Sequence, residues 1–151
     1  MTEADEREGF SHSRTLTIEW GHCDPAGIVF NPNFFGFFDW SSALLLEAAT
    51  GLAKPALLAA HDLIGIPLVE TGARFLKPSA YGETVEIVST VVEVGRSSFA
   101  IRHRLFNAGD LAVEGRERRV WAGHHPEERG RMKAAPIPAE VARILRGDVA
   151  P

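Results

Sequence analysis

The chain has 151 residues, of which 45% are hydrophobic and 24% are charged, and this composition is typical of one ordinary globular domain. A formal net charge of −4 excludes an overall basic surface for binding nucleic acid. The single cysteine, Cys23, excludes a disulfide framework within the chain and indicates a cytoplasmic protein. No apolar run reaches the roughly 20 residues of a membrane span, so no membrane contact is expected.

The first half of the chain predicts a tail, a strand and a long helix. Residues 1–12 are polar and acidic and predict a disordered tail, followed by a single domain over residues 13–151. Leu16, Ile18 and Trp20 alternate with polar residues, which predicts a strand over 14–20. Residues 33–50 contain no proline and carry apolar side chains around most of the helix circumference, which predicts a largely buried helix.

The second half predicts mainly strands. A short helix is expected over 54–62 and a terminal helix over 137–146, and between them lie four strands, over 66–77, 84–95, 97–107 and 111–124. One long helix followed by strands joined by short turns predicts an α+β fold with an antiparallel sheet packed on the helix. One sheet covers only one side of such an apolar helix, so a second subunit is expected to cover the rest.

Asp24 lies in a Pro/Gly-rich loop between the first strand and the long helix. A helix that opens after such a loop offers unpaired N–H donors and the positive end of its dipole. Asp24 is therefore a candidate nucleophile or general base, although aspartate also suits a turn or a helix cap. Gly27 permits a ligand to approach the loop backbone closely.

Other polar residues near the loop and on the strands favour structural roles. His22 and Cys23 are adjacent in extended chain and point to opposite sides, so they predict scaffold residues rather than a catalytic pair. The adjacent His124 and His125 lack further metal ligands and predict a solvated strand end. His103 stands alone and carries no functional signal.

The remaining charged candidates each permit two interpretations. Asp39 lies on the aromatic helix and predicts either a polar strip or a group that faces a site. Arg96, Ser97 and Ser98 form either an ordinary hairpin turn or a contact to a phosphate group. The arginines of the last two strands, such as Arg119, predict either a solvated sheet face or contacts to a nucleotide phosphate.

The loop carries a family resemblance. The sequence Gly-His-Cys-Asp-Pro-Ala-Gly-Ile-Val over 21–29, then Asn-Pro-Asn-Phe over 31–34 and a long helix, resembles the 4-hydroxybenzoyl-CoA thioesterase family of hotdog-fold proteins. The segments 75–78 and 96–103 also look like this family. The resemblance implies a hotdog fold, in which a curved five-stranded antiparallel sheet wraps the helix. It also implies dimers joined sheet edge to sheet edge, often paired into tetramers, with active sites at the dimer interface.

The resemblance assigns roles to particular residues. It implies that Asp24 acts on the thioester carbonyl as nucleophile or as base for water, while the backbone around Gly27 and Asn31 polarises that carbonyl. Asp39 would lie near a phenol hydroxyl of the acyl group. The acyl pocket is expected to include Phe34 and Phe38, and contacts to CoA phosphates are expected from Arg96, Ser97 and Ser98.

The sequence also departs from the family pattern at two positions. Asn31 stands where a tyrosine is usual in the namesake branch. The turn at 95–97 is less basic than in that branch, so a weaker contact to a nucleotide is expected there. The prediction is an acyl-CoA thioesterase, without metal or cofactor, acting on an aromatic or other acyl group. The alternatives are a hotdog dehydratase or hydratase and a non-catalytic acyl-CoA-binding module.

Overall fold

The computed structural model describes residues 7–151. The seven strands are β1 (Ser11–Thr17), β2 (Leu68–Phe75), β3 (Thr84–Val94), β4 (Ser98–Asn107), β5 (Asp110–Val120), β6 (Ala122–His124) and β7 (Met132–Ala134). The helices are α1 (Pro32–Thr50), α2 (Lys54–Ala60) and α3 (Ala139–Leu145), and a 3₁₀ turn spans Trp20–His22.

Five antiparallel strands form the main sheet in the order β1-β3-β4-β5-β2, and β6 and β7 pair in a separate small sheet. Alternate residues of β3 face opposite sides of the sheet, so that Val85 and Ile87 are buried whereas Glu86 is exposed. These buried residues belong to the same cluster as Phe34 and Phe38 of α1. The predicted arrangement of one long helix against a five-stranded antiparallel sheet is therefore observed.

The ends of α1 are set by local sequence. Pro32 occupies the first turn, where its missing N–H costs no hydrogen bond. Gly51 ends the helix with a left-handed φ of 75°, and its N–H donates to the carbonyl of Glu47 at 2.8 Å. The helix therefore begins at the motif loop and runs across the inner face of the sheet for 19 residues.

Gly115 of β5 allows α1 to approach the sheet closely. A Cβ atom at this position would overlap the ring of Phe38, which is 1% exposed. The Phe38 ring also stacks on the fully buried His103 of β4, with ring centroids 4.8 Å apart and planes 5° from parallel. The missing side chain at residue 115 thus sets the distance between α1 and the middle of the sheet.

Several predicted boundaries differ from the structure. The strand predicted over 14–20 is shifted, because β1 spans Ser11–Thr17 and Trp20 lies in the 3₁₀ turn. The predicted tail over 1–12 is wrong for residues 7–12, because β1 begins at Ser11 and the N–H groups of Gly9 and Phe10 donate to the carbonyls of Val91 and Leu145. The part of that prediction over 1–6 lies outside the described residues. The predicted strand over 111–124 is divided, because Trp121 leaves the main sheet and its carbonyl accepts a hydrogen bond from Ala135.

One edge of the main sheet is apolar and exposed. β2 pairs only with β5 among the described strands, and seven of its eight residues are exposed. Leu68, Val69 and Phe75 are 42%, 57% and 46% exposed, and Trp40 of α1 is 64% exposed. α1 is thus covered by the sheet on one side and retains an uncovered side, as expected of a chain that pairs with a second subunit.

No single helix within residues 7–151 combines the length and the apolar character that crossing a membrane requires. Together, α1 and α2 have the length and composition of a membrane span, but they are bent by 56° at the break between them.

Candidate active site

The motif loop folds into a tight turn centred on Asp24. The N–H of Asp24 donates to the carbonyl of Ile28, and the N–H of Gly27 donates to the carbonyl of Asp24, both at 2.9 Å. Gly27 adopts a φ of +78°, a left-handed conformation that glycine takes without a steric cost. The Pro/Gly composition of the loop thus produces a backbone that is held by its own hydrogen bonds.

The Asp24 carboxylate is half-buried and only partly engaged. One of its oxygens, Oδ1, accepts a hydrogen bond from the N–H of Ala26 at 2.8 Å, which forms an Asx turn. Within residues 7–151 the side chain makes no other hydrogen bond or ion pair. The turn-capping role that was considered for Asp24 is therefore present, and it leaves the second carboxylate oxygen available.

The loop is tied to the start of α1. The carbonyl of His22 accepts hydrogen bonds from the N–H of Phe30 at 2.9 Å and from the side chain of Asn33 at 2.8 Å. The N–H of Asn31, directly before the helix, donates no hydrogen bond within the described part of the chain. Asn31 therefore presents a free N–H donor directly before the helix, whereas the N–H of Gly27 is already used inside the turn.

A cavity of about 220 Å³ lies beside this junction. Its lining includes Ile28, Asn31, Phe34, Phe75 and Lys77. The rings of Phe34 and Phe75 approach to 5.6 Å between centroids and give the cavity an apolar wall. The volume is below the roughly 300–1,000 Å³ typical of sites for drug-sized ligands, so one chain offers room for only part of a large thioester.

The neighbours of Asp24 act as scaffold. Nδ1 of His22 accepts a hydrogen bond from the N–H of Glu19 at 2.9 Å, and its ring meets Phe37 edge-on at 4.9 Å. The thiol of Cys23 lies 3.5 Å from the carbonyl of Glu19, to which it donates. These contacts occupy both side chains and match the structural roles predicted for them. Within residues 7–151 no group of three or more His, Cys, Asp and Glu is arranged to hold a metal ion.

Asp39 lies on the exposed face of α1 and forms an ion pair with an arginine. Its side chain is 63% exposed, and Oδ1 accepts a hydrogen bond from Arg119 at 2.6 Å. Phe38, its neighbour, is instead buried between Gly115 and His103, so its ring belongs to the core and does not reach the cavity beside Asn31. Of the two predicted pocket phenylalanines, only Phe34 lines that cavity.

Arg119 is 4% exposed at its side chain and leads into a buried polar network. Its Nε donates to Glu117 at 2.9 Å, and Glu117 also accepts from Ser42 and lies 3.4 Å from Nε2 of His103. Burial opposes ionisation of Glu117, but the hydrogen bonds from His103 and Arg119 outweigh it and lower its pKa to about 2. Burial likewise opposes the charge of Arg119, but Glu117 and Asp39 outweigh it and raise the pKa of Arg119.

The turn of Arg96, Ser97 and Ser98 lies far from Asp24 within one chain. It follows the last residue of β3, whereas the motif loop contacts the chain just before β3, where the N–H of Tyr81 donates to the carbonyl of Gly27. β3 has 11 residues, so the two ends are about 34 Å apart at roughly 3.4 Å per residue. One chain therefore does not bring the predicted nucleotide turn and the predicted catalytic carboxylate together.

Comparisons with known proteins place this site in a family. The family model described as the thioesterase-like superfamily matches residues 18–145. The chain belongs to this superfamily. The 4-hydroxybenzoyl-CoA thioesterase of Pseudomonas sp. (strain CBS-3) is 31% identical over 132 residues, which are 84% of this chain and 92% of that protein.

Solved structures agree with the family assignment. The structure of the Pseudomonas 4-hydroxybenzoyl CoA thioesterase aligns with a TM-score of 0.80 at 28% identity, over 90% of this chain and 99% of that one. A gentisyl-coenzyme A thioesterase aligns with a TM-score of 0.73 at 28% identity, over 86% of this chain and 98% of that one. These matches confirm the predicted hotdog fold and the predicted class of acyl-CoA thioester hydrolase.

Sequence reasoning missed the buried network around Arg119. The sequence predicts no functional role for His103, and it predicts that Arg119 belongs to a solvated face or contacts a phosphate. Both are buried, and both face α1 rather than the outer side of the sheet. The alternation of residues 113, 115, 117 and 119 on one face of β5 was the available signal, since it places Arg119 on the same side as the buried Val113.

Proposed function

We propose that the protein hydrolyses an aromatic acyl-CoA thioester and that Asp24 is the carboxylate that acts on it. The observation that supports this assignment is the junction between the motif loop and α1. There Asp24 keeps one carboxylate oxygen without a hydrogen bond, and the N–H of Asn31 is free within residues 7–151. One short loop thus supplies both groups: Asp24 as nucleophile or base, and the N–H of Asn31 as the donor for the developing oxyanion.

The reaction needs little more than these two groups. The thioester oxygen would accept a hydrogen bond from the N–H of Asn31, at the positive end of the α1 dipole. In the direct route, water adds its oxygen to the acyl carbon while Asp24 takes its proton, and the carbon–sulfur bond then breaks to release the free acid and the CoA thiolate. In the covalent route, an Asp24 oxygen adds to the acyl carbon and the carbon–sulfur bond breaks as the acyl anhydride forms. Water then opens the anhydride to release the free acid, and in both routes the departed thiolate takes up a proton.

Two groups of residues support an aromatic substrate. Phe34 and Phe75 give the cavity beside Asn31 an apolar wall suited to a ring or an acyl chain. Asp39 supplies an exposed carboxylate oxygen that can accept a hydrogen bond from a ring hydroxyl. The Pseudomonas and gentisyl relatives are named for hydroxylated aromatic thioesters, which is the substrate class we extend to this chain.

The complete site requires two chains in this proposal. The apolar edge formed by Leu68, Val69 and Phe75 of β2 is suited to pair with the same strand of a second copy about a two-fold axis. Antiparallel pairing of the two β2 strands would bring the end of one sheet that carries the motif loop toward the opposite end of the other. We therefore propose a homodimer, and by family resemblance a homotetramer, in which Arg96, Ser97 and Ser98 contact CoA bound beside the partner's loop.

The test is a thiol-release assay with a panel of acyl-CoA thioesters that includes 4-hydroxybenzoyl, benzoyl, phenylacetyl, short-chain and medium-chain groups. The proposal expects the wild-type protein to release CoA fastest from a hydroxylated aromatic thioester. Asp24→Asn should lose the activity and remain folded, and Asp62→Asn, at an exposed aspartate paired with Arg129, serves as the matched control.

Mass spectrometry of the products separates hydrolysis from the two alternatives. Free acid with CoA supports the thioesterase. A change by one water with CoA still attached would indicate a hydratase or dehydratase. Tight binding of an acyl-CoA without release of thiol would indicate a binding module, and either of these last results contradicts the proposal.

A single turnover in water labelled with oxygen-18 can establish the covalent route. If Asp24 forms an anhydride that water opens at the acyl carbon, the first acid released carries the label. If water opens the anhydride at the Asp24 carbon, the label appears in the protein. Direct attack by water labels only the acid, so label found in a peptide containing Asp24 would establish the covalent route.

A further inference from the structure

Arg119 joins a buried carboxylate to an exposed one. Its guanidinium donates to Glu117 through Nε at 2.9 Å, to the carbonyl of Ile66 through Nη1 at 3.1 Å and to Asp39 through Nη2 at 2.6 Å. Nη2 also donates to the second oxygen of Glu117 at 3.3 Å, so all three nitrogens of the planar group are engaged. This arrangement fixes the position of the guanidinium in all directions and, through it, the position of Asp39.

The buried end of this connection is rigid. Ser42 donates its hydroxyl hydrogen to Glu117, so its oxygen accepts from Nε2 of His103 at 3.1 Å. Nδ1 of His103 lies 2.7 Å from the hydroxyl of Ser89. The connection thus runs by hydrogen bonds from β3 through β4, α1 and β5 to Arg119, with the His103 ring held from its face by Phe38.

The exposed end of the connection is open for a ligand. Arg119 engages only Oδ1 of Asp39, and Oδ2 accepts no hydrogen bond within the described residues. Asp39 is followed by the exposed Trp40 and lies near the start of β2, because Arg119 is paired in register with Leu68. The free oxygen therefore lies on the uncovered side of the chain, beside the apolar edge that a second subunit would cover.

We propose that Arg119 is a positioning residue that holds Asp39 as an oriented acceptor for a hydroxyl on the acyl ring, and so determines the preference for hydroxylated aromatic thioesters. This inference rests on the proposed function. Arg119 does not touch the substrate and acts through Asp39. It draws one carboxylate oxygen toward itself and leaves the other without a protein donor among the described residues.

The physical consequence is discrimination between ligands with and without the hydroxyl group. In the single chain the Asp39 side chain is exposed, and the ligand together with a second subunit would cover it. Its oriented oxygen would then be desolvated, and an analogue that cannot donate to it would leave this acceptor unpaired. A carboxylate that can rotate freely would turn toward water and lose most of this discrimination. The expected preference for the hydroxylated ligand is about tenfold to a hundredfold, the range of hydrogen bonds to charged groups.

The test measures binding of two non-hydrolysable thioether analogues of CoA, one with a 4-hydroxyphenacyl group and one with a phenacyl group. Wild-type protein is expected to prefer the hydroxylated analogue by the factor given above, and Asp39→Asn is expected to lose most of that preference. Arg119→Lys keeps a positive charge beside Glu117 but cannot span all three partners, so it is expected to fold and to lose most of the preference as well. The double variant Asp39→Asn with Arg119→Lys should then discriminate no less than Asp39→Asn alone.

The matched control is Arg118→Lys. Arg118 is the preceding residue of β5, points to the other side of the sheet and pairs with Glu93 at 2.7 Å. It is expected to keep the full preference, and thermal unfolding of each variant checks that the fold is retained. If Arg119→Lys is folded and keeps the wild-type preference, the inference is wrong.

The binding measurement also separates this inference from the proposed function. Absence of preference in the wild-type protein overturns the inference even if the protein hydrolyses both corresponding thioesters. A preference that depends on Arg119 in a protein that hydrolyses neither thioester would support the inference and overturn the proposed function. A fall in activity that is equal for hydroxylated and unsubstituted thioesters in Arg119→Lys would indicate a structural role and contradict the positioning role.

Discussion

The motif loop around Asp24 and the buried network around Arg119 hold carboxylates in opposite ways. In the loop, Asp24 accepts hydrogen bonds from the N–H groups of Ala26 and Gly27 and donates its own N–H to the carbonyl of Ile28, so its partners are only two to four positions away. In the network, Glu117 is fixed by side chains from three elements, and its contact to Ser42 spans 75 residues of sequence. The loop is partly open to solvent, so substitutions there should chiefly lower turnover. Glu117 is buried, so a substitution at this end of the network should chiefly lower the free energy of unfolding.

The largest expected effect is the loss of activity in Asp24→Asn. Removal of a general base or nucleophile costs about 10²–10⁴-fold in turnover, and Asn cannot replace either role. Because the Asn oxygen can still accept the hydrogen bond from Ala26, the free energy of unfolding should change by less than about 1 kcal/mol. Thiol release and urea denaturation of the same preparation check both statements, and near-normal turnover would contradict the assignment of Asp24.

Glu117→Gln should show the reverse pattern of effects. Loss of the charge of Glu117 removes the buried counter-ion of Arg119 and leaves only the exposed Asp39 to pair with it, at a cost of about 3–5 kcal/mol of the free energy of unfolding. At a temperature low enough for the variant to be folded, its turnover should remain close to that of the wild type if the motif loop is intact. Urea denaturation measures the loss, and a stability equal to the wild type would show that the network is not a structural centre.

The pKa of Glu117 makes its contribution to stability depend on pH. Its pKa is lowered from the ordinary 4.5 to about 2, so the unfolded chain takes up a proton that the folded protein does not. The stabilisation is therefore complete above pH 4.5 and is lost as the pH falls toward 2, with a total of about 3 kcal/mol. Between pH 6 and pH 2, the free energy of unfolding obtained from denaturation curves should fall less steeply for Glu117→Gln than for the wild type.

Gly115→Ala tests the packing of α1 on β5, and a smaller loss in the free energy of unfolding is expected. A methyl group at residue 115 would overlap the Phe38 ring and push α1 away from β5, at a cost of about 1–3 kcal/mol. The matched control is Gly72→Ala, in β2, where a Cβ atom meets nothing within 4 Å. Thermal unfolding of both variants measures the difference, and equal melting temperatures would contradict the close approach of α1 to the sheet.

The smallest expected effect is that of Asn33→Ala, which tests how firmly the loop is tied to the helix. The Asn33 side chain donates to the carbonyl of His22 at 2.8 Å, a bond worth about 0.5–1.5 kcal/mol. Because the carbonyl of His22 also accepts from Phe30, the loop should remain folded with a modest decrease in turnover. A collapse of activity to the level of Asp24→Asn would show that the loop depends on this side chain more than its backbone bonds suggest.

The same contrast explains what could be predicted from the sequence. The loop, the long helix and the strands depend on short-range patterns, so Asp24, the turn at Gly27 and the helix end at Gly51 could be placed from neighbouring residues. The split of the predicted strand over 111–124 could not, because it depends on the pairing of Trp121 with Ala135 through a segment without strong periodicity. The strand β7 was missed for the same reason.

The site was predictable only in its local part. Asp24 and Asn31 follow from the loop motif, but the hydrogen bond of Asp39 to Arg119 spans 80 residues and that of Ser42 to His103 spans 61. No local pattern reports such pairs, since each depends on the register of strands and the depth of the helix on the sheet. The placement of Phe38 in the core has the same origin, because it depends on the space left by Gly115.

The central claim is that the loop of one chain acts together with the 96–98 turn of another, and mixed dimers test it most directly. One preparation carries Asp24→Asn, and the other carries Arg96→Ala, Ser97→Ala and Ser98→Ala, so each is defective at a different end of the sheet. After the subunits are mixed and exchanged in equal amounts, a symmetric dimer predicts recovery of about a quarter of the wild-type thiol release at low substrate concentration. Activity no greater than the mean of the two separate preparations would contradict a site shared between subunits.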